Sequence, residues 1–280
     1  MSFLALACAL GALDGGMGLD AGVDAGARDA GVSAIPEPTW AQRLVNATTE
    51  AERAEQLLDD GTHVRFGTKT HGPVHVWRPR GYKPEKSDLV LYLHGFYTDA
   101  DAAMLDHQLA RQFRDSGRSA LFVVAEAPSW RTDPTYWEDL DELLAQVAEH
   151  GGAPMPTGKV TAVGHSGAYR TIASWLKSPK LDRVVLLDGL YAADNDFHAW
   201  LAGDEKKQLF LIGFDTTQRT GWFLQRYQDV GRLDEVPYLY DRLPPALAKQ
   251  RLVFLSTHRF DHMGLVTEGR VLPWVLHVLP

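Results

Sequence analysis

From about residue 60 onward, short apolar runs alternate with longer stretches of helical periodicity. Residues 62–66 read as a short strand. Val74-His75-Val76-Trp77 alternates in the strand manner and stops at Pro79. Residues 88–94, Asp-Leu-Val-Leu-Tyr-Leu-His, are nearly continuously apolar, as in a parallel strand buried on both faces. A regular order follows: helix near 101–116, strand 120–125, helix 137–149 and strand 160–163. After a helix beginning at Ala168 come strand 183–187, a short helix near 197–201, strand 209–213 and a helical region from Gly221. Strand 252–255 and a helix over 265–278 follow. This alternation predicts an α/β fold, a mostly parallel central sheet with helices on both faces. Ligands of such sheets bind beyond the carboxyl ends of the strands.

Before residue 60 the pattern differs. Residues 1–14 are rich in Leu and Ala and resemble the apolar core of an export signal without its positive start. Leu4-Ala5-Leu6-Ala7-Cys8 loosely resembles a bacterial lipobox with its leucine displaced by one position. The reading is an exported bacterial protein, with Cys8 either a lipid anchor or an ordinary apolar residue of a cleaved signal. Residues 15–34 repeat Asp-Ala-Gly and offer little to bury, which predicts a disordered tether. The ordered domain is expected over 35–280, opening with a helix over 39–58.

Composition narrows the function classes. The chain has 280 residues and a formal charge of −8. Without a Lys/Arg run, that balance argues against nucleic acid and anionic membranes as partners. A single cysteine excludes an internal disulfide and a cysteine-based metal site. No apolar run reaches the length of a membrane span. His-x-His, His-Glu-x-x-His, G-x-G-x-x-G and P-loop patterns are absent, so neither a metal nor a nucleotide cofactor is expected.

The candidate chemistry centres on Gly164-His165-Ser166-Gly167-Ala168, between a strand and a helix. A serine at the apex of such a turn presents its hydroxyl to substrate, and small neighbours let the two backbones crowd together. The bland alternative is a tight turn with a helix-capping serine. A serine nucleophile needs a base. His258 and His262 both lie beyond the last strand, and His262 stands at the entrance to the final helix. An acid must orient that base. Asp188 ends one apolar strand beside a glycine, where a buried carboxylate needs a partner, and Asp215 ends the next. The two remain alternatives, with Asp188 preferred. Asp261, next to His262, reads as a loop or helix-cap carboxylate. Ser129-Trp130-Arg131 and Tyr136-Trp137 follow the fourth strand and are candidates for an aromatic substrate wall, or for simple loop packing.

The order of these parts, including Leu93-His94-Gly95-Phe96-Tyr97 after the third strand, resembles the α/β-hydrolases over roughly residues 60–280. Its elbow departs from G-x-S-x-G only at Ala168. The resemblance implies a serine hydrolase of the esterase/lipase or amidase/peptidase type, acting on an ester or amide through an acyl-enzyme on Ser166. It implies His262 as base and an oxyanion hole of the Gly167 and Phe96 N–H groups, with Tyr97 as fallback. It implies that His94 supports the site by hydrogen bonding rather than reacting, and that His165 points away from the base. A non-catalytic binding protein and an acyltransferase with the same triad are the other function classes. No long insertion marks a lid, so the segment between Asp215 and Arg251, with Tyr227, Tyr238 and Tyr240, is expected to shape the pocket instead.

Overall fold

A computed structural model describes residues 61–238 and 241–280. The signal-like segment with Cys8, the tether and the helix expected over 39–58 lie outside these residues.

The nine strands are β1 (Gly61–Thr68), β2 (Gly72–Pro79), β3 (Asp88–Leu93), β4 (Ala120–Ala125), β5 (Val160–His165), β6 (Leu181–Leu187), β7 (Gln208–Gly213), β8 (Gly231–Leu233) and β9 (Leu252–Ser256). They form one sheet in the order β1-β2-β4-β3-β5-β6-β7-β9-β8. β2 runs antiparallel to both its neighbours, and every other adjacent pair is parallel. Strands such as Ala-Leu-Phe-Val-Val-Ala of β4 are buried at every position because both faces are covered. Alternate side chains feed two cores. Val90, Tyr92, Phe122, Val124, Val185 and Leu187 point into one, and Leu89, Leu91, Leu121, Val123, Val184 and Leu186 into the other.

The first core is covered by α1 (Ala100–Asp106), α2 (Leu109–Asp115), α8 (Gly264–Thr267) and α9 (Val271–Val278). The second is covered by α3 (Leu140–His150), α4 (Tyr169–Trp175), α5 (Asp194–Gly203) and α6 (Thr217–Leu224). A short α7 (Pro245–Ala248) precedes β9. β4 lies on one side of β3 and β5 on the other. The chain therefore reverses its direction of travel across the sheet between β3 and β5, and a crevice opens at their carboxyl ends.

Two expected helices are broken in two. The helix expected over 101–116 divides at Gln108, whose φ is +48°. The break turns His107 inward, where its ring meets the Tyr92 hydroxyl at 3.0 Å. A buried hydroxyl needs such a partner, and satisfying it interrupts the helix. The helix expected over 265–278 divides at Gly269, which adopts φ +67°. β8 and α7 escape the sequence pattern because each is too short to display a period.

Among the described residues, three of the buried histidines are held in neutral form. Burial, reinforced by His75, pushes His63 down to about 3. Burial, with His94 nearby, pushes His107 down to about 4. Burial, with His262 nearby, pushes His165 down to about 3. Each folded value lies below the unfolded one, so unfolding takes up a proton in acid. The stability these sites allow is full above about pH 6.5 and falls as pH drops toward the folded values. The slope is on the order of 1 kcal/mol per pH unit for each histidine. Urea midpoints are therefore expected to fall steeply between pH 7 and pH 5. A midpoint flat across that window would mean that the three imidazoles accept protons in the native state.

Candidate active site

β5 runs into a single 3-10 turn, Ser166–Ala168, and then into α4. Ser166 sits at φ +52°, in the left-handed region that L-residues seldom occupy. Close packing holds it there. A Cβ on Gly164 would stand 2.6 Å from Ile172 Cδ1 and 3.1 Å from the Ala168 Cβ. The elbow therefore accepts Ala168 because position 164 carries no side chain. A Cβ on Gly95 would stand 2.9 Å from the Ser166 Cβ, so the turn after β3 also presses against the elbow. A Cβ on Gly167 would stand 2.5 Å from Phe96 Cε1, because that ring lies directly over it.

His262 Nδ1 lies 2.7 Å from Asp188 Oδ2. A carboxylate only accepts, so Nδ1 carries the proton and Nε2 is left as the base nitrogen. Asp188 is fully buried at the end of β6, with φ +47°. Its Oδ1 accepts the Phe214 and Thr216 N–H groups at 2.9 and 2.8 Å and the Thr216 hydroxyl at 2.7 Å. Its Oδ2 also accepts the Asp215 N–H at 3.1 Å. Burial alone would push this carboxyl up. The bonds from His262, Thr216 and Phe214 outweigh it and hold Asp188 well below the usual carboxylate range.

Asp215 is exposed, and its contribution to this arrangement is its backbone N–H. Asp188, Asp215 and His262 each place a ligand-type atom within 4.8 Å of the others. The Asp188 oxygens already accept five hydrogen bonds, more than their roughly four lone pairs, which suits orienting an imidazole rather than binding a metal ion. His258 is exposed and donates its N–H to Glu235 Oε2 at 3.2 Å, away from this constellation. Asp261 accepts the Gly264 N–H at 2.7 Å and caps α8.

Several expectations need correction. His165 does not point away from His262. Its Nε2 donates to the His262 carbonyl at 2.9 Å, and the two rings stand 4.5 Å apart. The Tyr97 N–H is no fallback donor, because it donates to the Ser129 carbonyl at 2.8 Å. The Phe96 N–H finds no acceptor among the described residues. Gly167 lies in the first turn of its helix, where N–H groups lack intrahelical partners. Of the residues expected to form the aromatic wall, only Arg131 lines the cleft at Ser166. Trp130 is exposed and meets the Tyr97 ring edge-on at 4.7 Å. Trp137 is fully buried, and its carbonyl accepts the Trp175 indole N–H. Tyr136 packs against the second core. Tyr227 pairs with His198 at 2.8 Å, and Tyr240 lies outside the described residues. Among the described residues, none between 216 and 251 lines the cleft at Ser166.

That cleft has a volume of about 540 Å³ and is walled by Phe96, Tyr97, Tyr169 and Tyr191 together with Arg131 and Arg170. Tyr191 also faces His262, with the rings 6.4 Å apart. His94 is fully buried and fastens the floor: its Nδ1 bonds the Gly95 carbonyl at 2.8 Å, and its Nε2 accepts the Ala127 N–H at 2.9 Å.

No family model matches the chain, and no curated protein matches it either. Solved structures do. The S-formylglutathione hydrolase of Staphylococcus aureus superposes with a TM-score of 0.50 at 13% identity, over 77% of this chain and 94% of that one. A mutant of the feruloyl esterase module of Clostridium thermocellum, complexed with sinapinate, superposes with a TM-score of 0.53 at 13% identity, over 79% and 89%. The chain has the α/β-hydrolase fold.

Within the α/β-hydrolase fold, sequence reasoning passed over two supports. Thr216 gives Asp188 two of its hydrogen bonds. Glu235 accepts the Thr257 hydroxyl at 2.6 Å and the His258 and Arg259 N–H groups at 3.2 Å, which braces the loop leading to His262. Nothing local in sequence marks Glu235, because its partners lie on another strand's loop. Tyr191 was findable: it closely follows the apolar strand that ends at Asp188.

Proposed function

We propose that this protein is a serine hydrolase that cleaves a carboxylic ester through an acyl-enzyme on Ser166. The observation that carries the reading is the 2.7 Å bond from His262 Nδ1 to a saturated, buried Asp188, with the His262 ring 4.5 Å from that of His165, which immediately precedes a serine at a left-handed elbow. His262 Nε2 removes the Ser166 hydroxyl proton as Oγ bonds to the substrate's carbonyl carbon. The carbonyl π pair moves onto oxygen, where the Phe96 and Gly167 N–H groups receive it. Asp188 stabilises the imidazolium that forms. As the tetrahedral adduct collapses, the ester C–O bond breaks and the imidazolium proton passes to the leaving alkoxide. Water then repeats the sequence on the acyl-enzyme and releases the acid. The feruloyl esterase module with which the chain shares its fold supports an ester over an amide as substrate.

The test is labelling with a fluorophosphonate, read by intact mass. One adduct is expected, absent from Ser166→Ala and strongly slowed in His262→Ala. A folded protein that takes up no label would overturn the reading and leave a binding scaffold.

A further inference from the structure

The cleft beside Ser166 runs against the charge of the molecule. The chain as a whole carries a formal −8, yet the charged side chains lining this cleft are two arginines, with no carboxylate among the lining residues. An anionic substrate approaching such a protein is repelled at a distance unless something local reverses the field.

The two guanidinium groups differ in what they do. Arg170 is committed to the fold. Its Nη1 donates to the Trp130 and Arg131 carbonyls at 3.3 and 3.1 Å, and its Nη2 to the Asp133 carbonyl at 2.9 Å. It fixes the loop on which Arg131 stands. Tyr97 packs edge-on against Trp130 and donates its N–H to the Ser129 carbonyl, which steadies the same loop. Arg131 itself is exposed at the cleft wall. Among the described residues its guanidinium has no hydrogen-bond acceptor, no carboxylate and no aromatic face. A fixed backbone under an uncommitted guanidinium is an arrangement for receiving an anion. The planar fork matches carboxylate, sulfate and phosphate oxygens.

We propose that Arg131 makes this cleft selective for esters that carry an anionic group remote from the scissile bond. The inference rests on the serine-hydrolase reading and names the substrate class of the same site. The anion belongs to either the acyl or the alcohol part, and paired substrates separate the two. Hydrogen 4-nitrophenyl succinate against its methyl ester tests the acyl side. 4-Acetoxybenzoate against its methyl ester tests the alcohol side. Rates are normalised to hydroxide-catalysed hydrolysis. The anionic member of one pair is expected to show a kcat/KM at least about tenfold higher, the scale of a hydrogen bond to a charged group. Arg131→Gln is expected to erase that ratio, mainly through KM, and Arg131→Lys to keep part of it. A purely structural role would lower both members in parallel and leave the ratio unchanged.

Calorimetry on the Ser166→Ala protein gives a readout independent of turnover. 4-Acetoxybenzoate or hydrogen 4-nitrophenyl succinate should bind more tightly than its methyl ester, and adding Arg131→Gln should remove the difference. If the wild-type protein turns over neither pair, the hydrolase reading fails, and calorimetry alone decides the anion site. Equal binding of each anion and its methyl ester overturns the proposal, as does a preference that survives Arg131→Gln.

Discussion

Asp188→Asn is expected to lower kcat/KM for an ester about 10⁴-fold, the scale on which an orienting aspartate acts. Asp215→Asn is expected to change it less than about threefold. The asymmetry follows from the hydrogen bonds. Asp188 accepts the His262 Nδ1–H, so the imidazole is held in the tautomer whose Nε2 accepts a proton. An asparagine amide facing Nδ1 donates instead, which stabilises the opposite tautomer and leaves no base toward the serine. Asp215 hydrogen-bonds Asp188 through its N–H, which asparagine keeps, and its carboxylate lies within 4.8 Å of His262 without a hydrogen bond to it. The loss should fall on kcat, with KM little changed. The same substitution should also lower the melting temperature. A neutral amide meets the Phe214, Thr216 and Asp215 N–H groups with one acceptor oxygen instead of two, and a buried donor left without a partner costs about 1–3 kcal/mol. Kinetics and melts on the two variants check both statements. Large loss in Asp215→Asn with activity retained in Asp188→Asn would reverse the assignment.

Gly95→Val is expected to lower kcat at least about 100-fold while KM moves by less than about threefold. A Cβ there would stand 2.9 Å from the Ser166 Cβ and 3.0 Å from His165 Nδ1. The His-Gly turn must then retreat from the elbow, and the Phe96 N–H retreats with it. Displacing an oxyanion donor by about 1 Å is enough for an effect of that size. Gly203→Ala is the control, because a Cβ there meets nothing within 4 Å. Steady-state kinetics on a neutral ester distinguish the two positions. Equal, small effects would mean that the turn after β3 does not position the reaction.

The sheet was legible in sequence wherever burial imposes continuity. Leu89 to Leu93 and Ala120 to Ala125 are apolar because helices cover both faces, and β6, β7 and β9 carry shorter runs of the same kind. The elbow was legible because glycine is required where Ile172 and Phe96 approach the backbone. What stayed hidden depends on distant partners. The break at Gln108 answers a hydroxyl on another strand. The choice between Asp188 and Asp215 turns on which carboxylate the 214–216 backbone encloses, and both residues end apolar strands alike. Trp137 and Trp130 look equivalent in sequence, yet one belongs to the core and the other is exposed against Tyr97.

Tyr97, Ser166 and Asp188 share one property besides their location at the ends of β3, β5 and β6: all three have positive φ, at +70°, +52° and +47°. Glycine would relieve each of these conformations, by on the order of 1 kcal/mol. At Ser166, selection for heat resistance and selection for turnover therefore pull in opposite directions, whereas at Asp188 the hydrogen bonds lost to Phe214, Asp215 and Thr216 outweigh the relief. A laboratory evolution scheme that scores survival of heating alone would be drawn toward glycine at Ser166 and would return hardened, silent proteins. Scoring heat resistance and ester turnover together, round by round, keeps the search on the scaffold and away from the strand ends.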